Sequence, residues 1–119
     1  MREYPKAIKR LLRQYAIEAY ENELHRELTK LDNSFAEWRN GNISSSELSH
    51  RIRLYETDPS RELYNRYNSG DDAMNVAYAI VTGLIRKDEV TADVLEALEG
   101  PLSFYQSLKE HGELREPTE

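Results

Sequence analysis

The chain contains no cysteine, which excludes a disulfide framework, a thiolate zinc site and a cysteine nucleophile. Glycine and proline are also scarce, with five and four among 119 residues, so long stretches have no helix breaker. No run of alternating β-branched and polar residues is bounded by turn signals, as a strand would require. These absences predict an all-α fold.

Long apolar runs are missing as well. The most apolar stretch covers residues 73–85 and is shorter than the ~20 residues that cross a bilayer. Residues 1–6 have no apolar core of the kind that a secretory signal needs. From these features we expect a cytoplasmic protein that does not use a membrane. The net charge of −6 disfavours nucleic-acid binding by the molecule as a whole, although it leaves room for a local basic patch.

The first predicted helix runs without interruption from Pro5 to Arg39, and residues 40–42 (Asn-Gly-Asn) end it. Proline is tolerated in the first turn of a helix, where its missing N–H removes no hydrogen bond. The second helix begins after Ser44, which forms a candidate capping box with Glu47. Because the connection is short, we expect the second helix to fold back along the first and to cover its C-terminal half.

Helix-breaking and helix-capping residues further along the chain define the remaining helices. Residues 58–59 (Asp-Pro) end or kink the second helix, and Asp71 or Asp72 caps a mostly apolar helix that continues to Ile85. Such a helix is normally buried on most sides.

Thr91 is a candidate cap for a further helix, which residues 100–101 (Gly-Pro) break or bend, and the last helix stops near Gly112. The sequence thus predicts an all-α bundle of five or six helices, the first being the longest. We assign residues 1–112 to a single helical domain. Residues 113–119 have nothing to bury, so we expect a frayed tail.

The long first helix carries apolar residues on two nearly opposite sides, when each position is placed at ~100° per residue. The first stripe contains Tyr4, Ile8, Leu11, Leu12, Tyr15 and Ala19. The second, which we call the heptad stripe, contains Ile17, Tyr20, Leu24, Leu28, Leu31, Phe35 and Trp38. Four of its members are seven residues apart, which favours near-parallel packing on another helix.

Two explanations for the two stripes stay open. In one, the heptad stripe packs on the second helix and the helix after residue 71 covers the first stripe, all within one chain. In the other, one stripe docks on a second copy of the chain, because an apolar stripe of this size is unusual on a monomer. The sequence does not say which stripe would be intermolecular. The candidate interface residues that we single out are Ile8, Leu12, Tyr15 and Tyr20.

A basic arc lies at the start of the first helix. Basic residues there oppose the helix dipole, so helix stability does not explain them. They could contact an anion, an acidic partner or RNA, or they form a solvated face matched by the chain's own acids. The candidate contact residues are Lys6, Lys9, Arg10 and Arg13.

Residues that could carry chemistry are few. Glu47 and His50 have the i, i+3 spacing of helical di-iron sites, but the second such motif is missing. Glu18, Glu21 and His25 share a helix face, which is more typical of surface pairs than of an acid–base cluster. We therefore assign no catalytic, cofactor-binding or metal-ligating residue. The leading hypothesis is a non-enzymatic interaction or regulatory module that forms a homodimer; the alternatives are a small helical enzyme or metal protein and a nucleic-acid binder.

Overall fold

The computed structural model describes residues 4–117, which form six α-helices and no strand. The helices are α1 (Lys6–Arg39), α2 (Ser45–Tyr55), α3 (Arg61–Ser69), α4 (Asp72–Thr82), α5 (Ala92–Ala97) and α6 (Glu99–Glu110). A π turn (Glu56–Ser60) joins α2 to α3, and a 3₁₀ turn (Lys87–Glu89) precedes α5. The prediction of an all-α bundle with a long first helix is confirmed.

Helix α1 determines the length of the molecule. Its 34 residues extend about 51 Å at 1.5 Å per residue, and the longest dimension of the molecule is 53 Å. It begins directly after Pro5. Its last turn ends with a hydrogen bond from the N–H of Asn40 to the carbonyl of Ala36, where the sequence predicted the end of the helix. Within residues 4–117 no helix is at once long enough and apolar enough to span a membrane.

Helix α2 begins at the predicted cap. The Ser44 hydroxyl oxygen accepts a hydrogen bond from the backbone N–H of Glu47 at 3.0 Å. The carboxylate of Glu47 turns away from the cap and accepts from the Arg51 guanidinium at 3.1 Å. Only the serine half of the capping box is therefore formed.

The α2–α3 segment runs antiparallel to α1 along most of its length. Four hydrogen-bonded pairs show this direction, because the α1 member moves back along the chain as the α2 or α3 member moves forward. The pairs are Trp38 with Ser45, Glu37 with Arg51, Glu23 with Arg66 and Arg13 with Tyr67. Pro59 does not end the helix. It sits in the π turn, where the wider backbone loop accommodates a residue that has no N–H to donate.

The apolar core lies around the N-terminal half of α1. Its buried members on α1 are Ile8, Leu12, Ala16 and Ala19. Helices α3, α4 and α5 and the connections next to them complete the core, and α6 packs against it through the partly buried Leu102. Beyond this core, residues 24–55 form an arm that is two helices thick, made of the end of α1 and α2. Within the arm only Ser34 and Leu48 are buried. The molecule is therefore a compact head with a thin helical arm.

Two boundaries differ from the prediction. Helix α4 ends at Thr82 and not at Ile85, because Gly83 takes the left-handed conformation (φ 81°) that closes a helix and that glycine adopts without strain. The break before α6 falls at Leu98. Residues 100–101 lie in the first turn of α6, where a proline costs no hydrogen bond.

The tail after α6 has no helix within residues 113–117, but it contacts the head. The Tyr78 hydroxyl donates to the backbone carbonyl of Arg115 at 2.7 Å, and Lys109 lies 3.8 Å from the Glu116 carboxylate. The fraying of residues 113–119 in solution stays a prediction.

The cap at Ser44 gives a stability prediction. Replacing Ser44 by alanine leaves the N–H of Glu47 without its partner and should lower the free energy of unfolding by about 1 kcal/mol, measured by urea denaturation. The matched control is Ser46→Ala on the exposed first turn of α2, which should change it by less than about 0.5 kcal/mol. Equal effects of the two substitutions would contradict the assigned cap.

Candidate functional site

The heptad stripe of α1 is largely open to solvent. Ile17, Leu28 and Trp38 are 49%, 44% and 41% exposed. Leu24, Leu31 and Phe35 are half-buried, and Tyr20 packs on the ring of Tyr67 with 5.4 Å between the centroids. An apolar stripe of six side chains thus remains exposed or half-exposed along the arm and the adjoining part of the head.

The stripe stays open because a different line of α1 faces the rest of the chain. That buried line contains Ile8, Leu12, Ala16, Ala19, Glu23 and Ser34. At 100° per residue it lies about 110° around the helix from the heptad stripe. The first apolar stripe falls close to this line and is covered within the chain, whereas the heptad stripe is not.

Helix α2 attaches to α1 beside the heptad stripe through polar contacts. Arg51 donates to Ser34 at 3.2 Å and to Glu37 at 2.9 Å. The indole N–H of Trp38 donates to the Ser45 hydroxyl at 3.0 Å, at the edge of the helix pair. The predicted hairpin is therefore present, but the expectation that it covers Trp38 was wrong, because α2 packs on the neighbouring face.

A row of charged side chains borders the open side of the heptad stripe. Glu18, His25, Asp32 and Arg39 are spaced seven residues apart, and all four are exposed. No ion pair of theirs is formed within residues 4–117. From the sequence, Glu18 and His25 were predicted only as part of a chemical cluster, and Asp32 and Arg39 were missed, although all four share the heptad spacing.

The four candidate interface residues are all used inside the chain. Ile8 and Leu12 are buried in the core. The Tyr15 hydroxyl makes long hydrogen bonds to the backbone of residues 89–91, and the ring of Tyr20 packs on α3. We therefore place the candidate interface on the exposed remainder of the heptad stripe.

The basic arc is exposed at the start of α1. Lys6, Lys9, Arg10 and Arg13 all lie on the surface. Arg13 donates to the backbone carbonyl of Tyr67 at 3.2 Å and to the carboxylate of Asp72 at 3.3 Å. For Arg13 the structure agrees with the explanation that acidic residues of the same chain compensate the charge of the basic arc.

The candidate acid–base and metal residues do not converge. Glu18, Glu21 and His25 are exposed on α1. Glu47 lies beside Glu37, because Arg51 contacts both carboxylates, and that position is twelve residues, about 18 Å, along α1 from His25. Across residues 4–117 no group of three histidine or carboxylate side chains is placed to hold a metal ion.

A cavity of about 720 Å³, with many charged residues in its lining, lies between α1, α3, α4, α6 and the tail. Its wall contains Glu23, whose side chain is only 5% exposed. Both carboxylate oxygens of Glu23 accept from the Arg66 guanidinium at 3.2 Å. Arg66 in turn lies over the rings of Tyr67 and Tyr78, at 5.7 and 5.8 Å from their centroids.

Burial dominates the electrostatics of this cavity. It raises the pKa of Glu23 above the ordinary value of 4.5, while the charge and hydrogen bonds of Arg66 oppose the rise. Burial also raises the pKa of Tyr78 to about 12. The hydroxyl of Tyr67 is buried without a hydrogen-bond partner within residues 4–117. Because Arg66 already compensates the Glu23 charge, the pair joins α3 to α1 and gives no support to a catalytic role.

The raised pKa of Glu23 predicts a pH-dependent effect of Glu23→Gln. The folded chain holds the Glu23 proton more tightly than the unfolded chain, so this group lowers wild-type stability as pH rises above 4.5. Glutamine does not titrate. The free energy of unfolding of the variant, relative to wild type, should therefore be higher at about pH 7 than at about pH 4 in urea titrations. Glu18→Gln, an exposed change on the same helix, controls for the lost charge, and a relative stability of Glu23→Gln that falls with pH would contradict this prediction.

Comparisons of the chain with known protein families, with curated proteins and with solved structures found no match. The function is therefore inferred from the surfaces of the chain itself, and the heptad stripe with its row of charges is the candidate functional site.

Proposed function

We propose that the chain is a non-enzymatic interaction module that self-associates, with the heptad stripe of α1 docking on the heptad stripe of a second copy. The cytoplasm is its proposed location. The observation that carries the proposal is the exposure of Ile17, Leu28 and Trp38 along one line of α1. Contiguous apolar surface on a monomer is typical of an interaction site.

The thinness of the arm supports the proposal. A pair of helices cannot enclose a core, and Leu48 is the one buried apolar residue over residues 24–55. Two arms packed together make a four-helix bundle, in which each arm supplies the apolar cover that the other lacks. A closed two-fold pair is the commonest way to bury such a surface.

Helix α2 adds apolar surface next to Leu31 of the stripe. Leu54, which lines a groove together with Leu31, is 45% exposed. A groove of about 320 Å³ between the helices of the arm is lined in part by Leu31, Leu54 and Tyr55. The groove extends the apolar surface from α1 onto α2, as a bundle of two hairpins requires.

The alternatives have less support. A catalytic or metal site would need Glu18, Glu21 and His25 to meet Glu47 and His50. Even His25, the nearest of the three, lies about 18 Å along α1 from the position of Glu47. A nucleic-acid site would need free basic residues, and Arg13 is matched by Asp72.

The proposal predicts that wild type and Leu28→Glu differ in mass. Light scattering at tens of micromolar protein should give twice the 13.9 kDa chain mass for wild type and a mass near 13.9 kDa for Leu28→Glu. A charge at position 28 must be desolvated in the dimer, whereas in the monomer this side chain is 44% exposed, so the fold should survive by circular dichroism.

Phe104→Glu is the matched control. Phe104 is 51% exposed on α6, which packs on α4 and α5 away from the heptad stripe. This variant should remain a dimer. A wild-type mass near 13.9 kDa, or a Phe104→Glu variant as monomeric as Leu28→Glu, would overturn the proposed function.

A further inference from the structure

We propose that the two copies pair antiparallel, about a two-fold axis that crosses α1 between Leu28 and Leu31, so that Glu18 faces the partner's Arg39 and His25 faces the partner's Asp32. This inference rests on the proposed function and adds to it the direction and the register of the pairing.

The position of the charged row suggests the direction. The row borders the heptad stripe on its open side, while α2 and α3 occupy the other side. When a two-fold axis relates two antiparallel helices, the same edge of each helix meets across the contact. The charged rows of the two copies then face each other, and their sequences must be complementary when one of them is reversed.

The row meets that requirement. Read forwards it is acidic, histidine, acidic, basic, in the order Glu18, His25, Asp32, Arg39. Pairing Glu18 with the partner's Arg39 sets one register, and the same register pairs His25 with the partner's Asp32, because both pairs have the same midpoint in the sequence. The two-fold axis repeats each pair, so all eight side chains meet a complementary group.

The apolar residues agree with this register. It brings Leu28 to within two residues, about 3 Å along the axis, of the partner's Leu31, and Leu24 equally close to the partner's Phe35, which builds apolar layers near the two-fold axis. The overlap of α1 from Glu18 to Arg39 is about 33 Å long. The charge pattern thus selects the register, and the apolar pattern is compatible with it.

A parallel pairing is disfavoured by charges on the same surface. Glu21 lies between Ile17 and Leu24 on the side of the stripe, and in a parallel pair it would meet its own copy. Arg10, seven residues before Ile17, would also meet its own copy. In the antiparallel register Glu21 lies near the partner's Arg39, and Arg10 lies outside the overlap.

A charge swap tests the register. Glu18→Arg places two arginines together at both ends of the overlap and should weaken the dimer about tenfold in sedimentation equilibrium, as should Arg39→Glu. The double variant restores opposite charges and should return to within about threefold of wild type. Glu110→Arg, an exposed reversal on α6, controls for net charge and should leave the dissociation constant unchanged. A double variant at least as weak as the single variants would contradict the register.

Cross-linking tests the direction, because the chain has no cysteine of its own. We would make Glu18→Cys and Arg39→Cys in the full chain and treat each variant, and their mixture, with a short bifunctional maleimide. In the antiparallel register the mixture should give a covalent dimer and neither variant alone should, because equal positions are then about 30 Å apart. A covalent dimer of Glu18→Cys alone, or none in the mixture, overturns the direction.

The two proposals fail in distinguishable ways. A wild-type monomer by light scattering removes the proposed function and with it this inference. A wild-type dimer that Leu28→Glu dissociates, but that cross-links through equal positions, keeps the proposed function and removes the antiparallel direction.

Discussion

Helices α2 to α5 all pack on α1, along a line that changes from apolar to polar at Glu23. Before that residue the line is apolar, with Leu12 and Ala19 almost fully buried. After it the line presents charged and hydroxyl groups. An apolar line gathers several helices around a core, whereas a polar line holds one helix through hydrogen bonds. The division of the molecule into a head and an arm follows from this change along one helix.

The Glu23–Arg66 pair lies at the junction of the two regions. A buried carboxylate is costly unless its partner stays in place, so the pair specifies how α3 meets α1 more than it adds stability. Further out, Arg51 links the helices of the arm through Ser34 and Glu37 of α1, and it also contacts Glu47 on its own helix. Such partly exposed links contribute little each, so the arm is the weaker part of a single chain.

Sequence patterns predicted the elements of the fold well, because local signals define them. Residues 40–42 end α1, and Ser44 begins α2, through interactions within a few residues. The end of α4 was placed too late because apolar periodicity continues through Ile85, and only the left-handed conformation of Gly83 interrupts the helix.

The faces of the helices were harder to predict. Periodicity assumes that apolar side chains point inwards, and it cannot identify Glu23 or Ser34 as buried. Glu23 is buried because Arg66, 43 residues away, reaches it, and no local pattern carries that information. The seven-residue spacing of the charged row from Glu18 to Arg39 can be seen in the sequence. Its position beside an exposed apolar stripe cannot, because that depends on which side of α1 the rest of the chain leaves open.

The off-centre position of the head has a consequence for the shape of the assembly. The buried core on α1 is centred near residue 13, whereas the proposed axis lies about sixteen residues further on. An antiparallel pair is then a rod with a head at each end, and the heads are about 50 Å apart and face in opposite directions. In the proposed dimer, any binding surface on the head would occur twice at that spacing, and simultaneous use of both copies would raise the overall affinity for a partner with two sites at a matching distance.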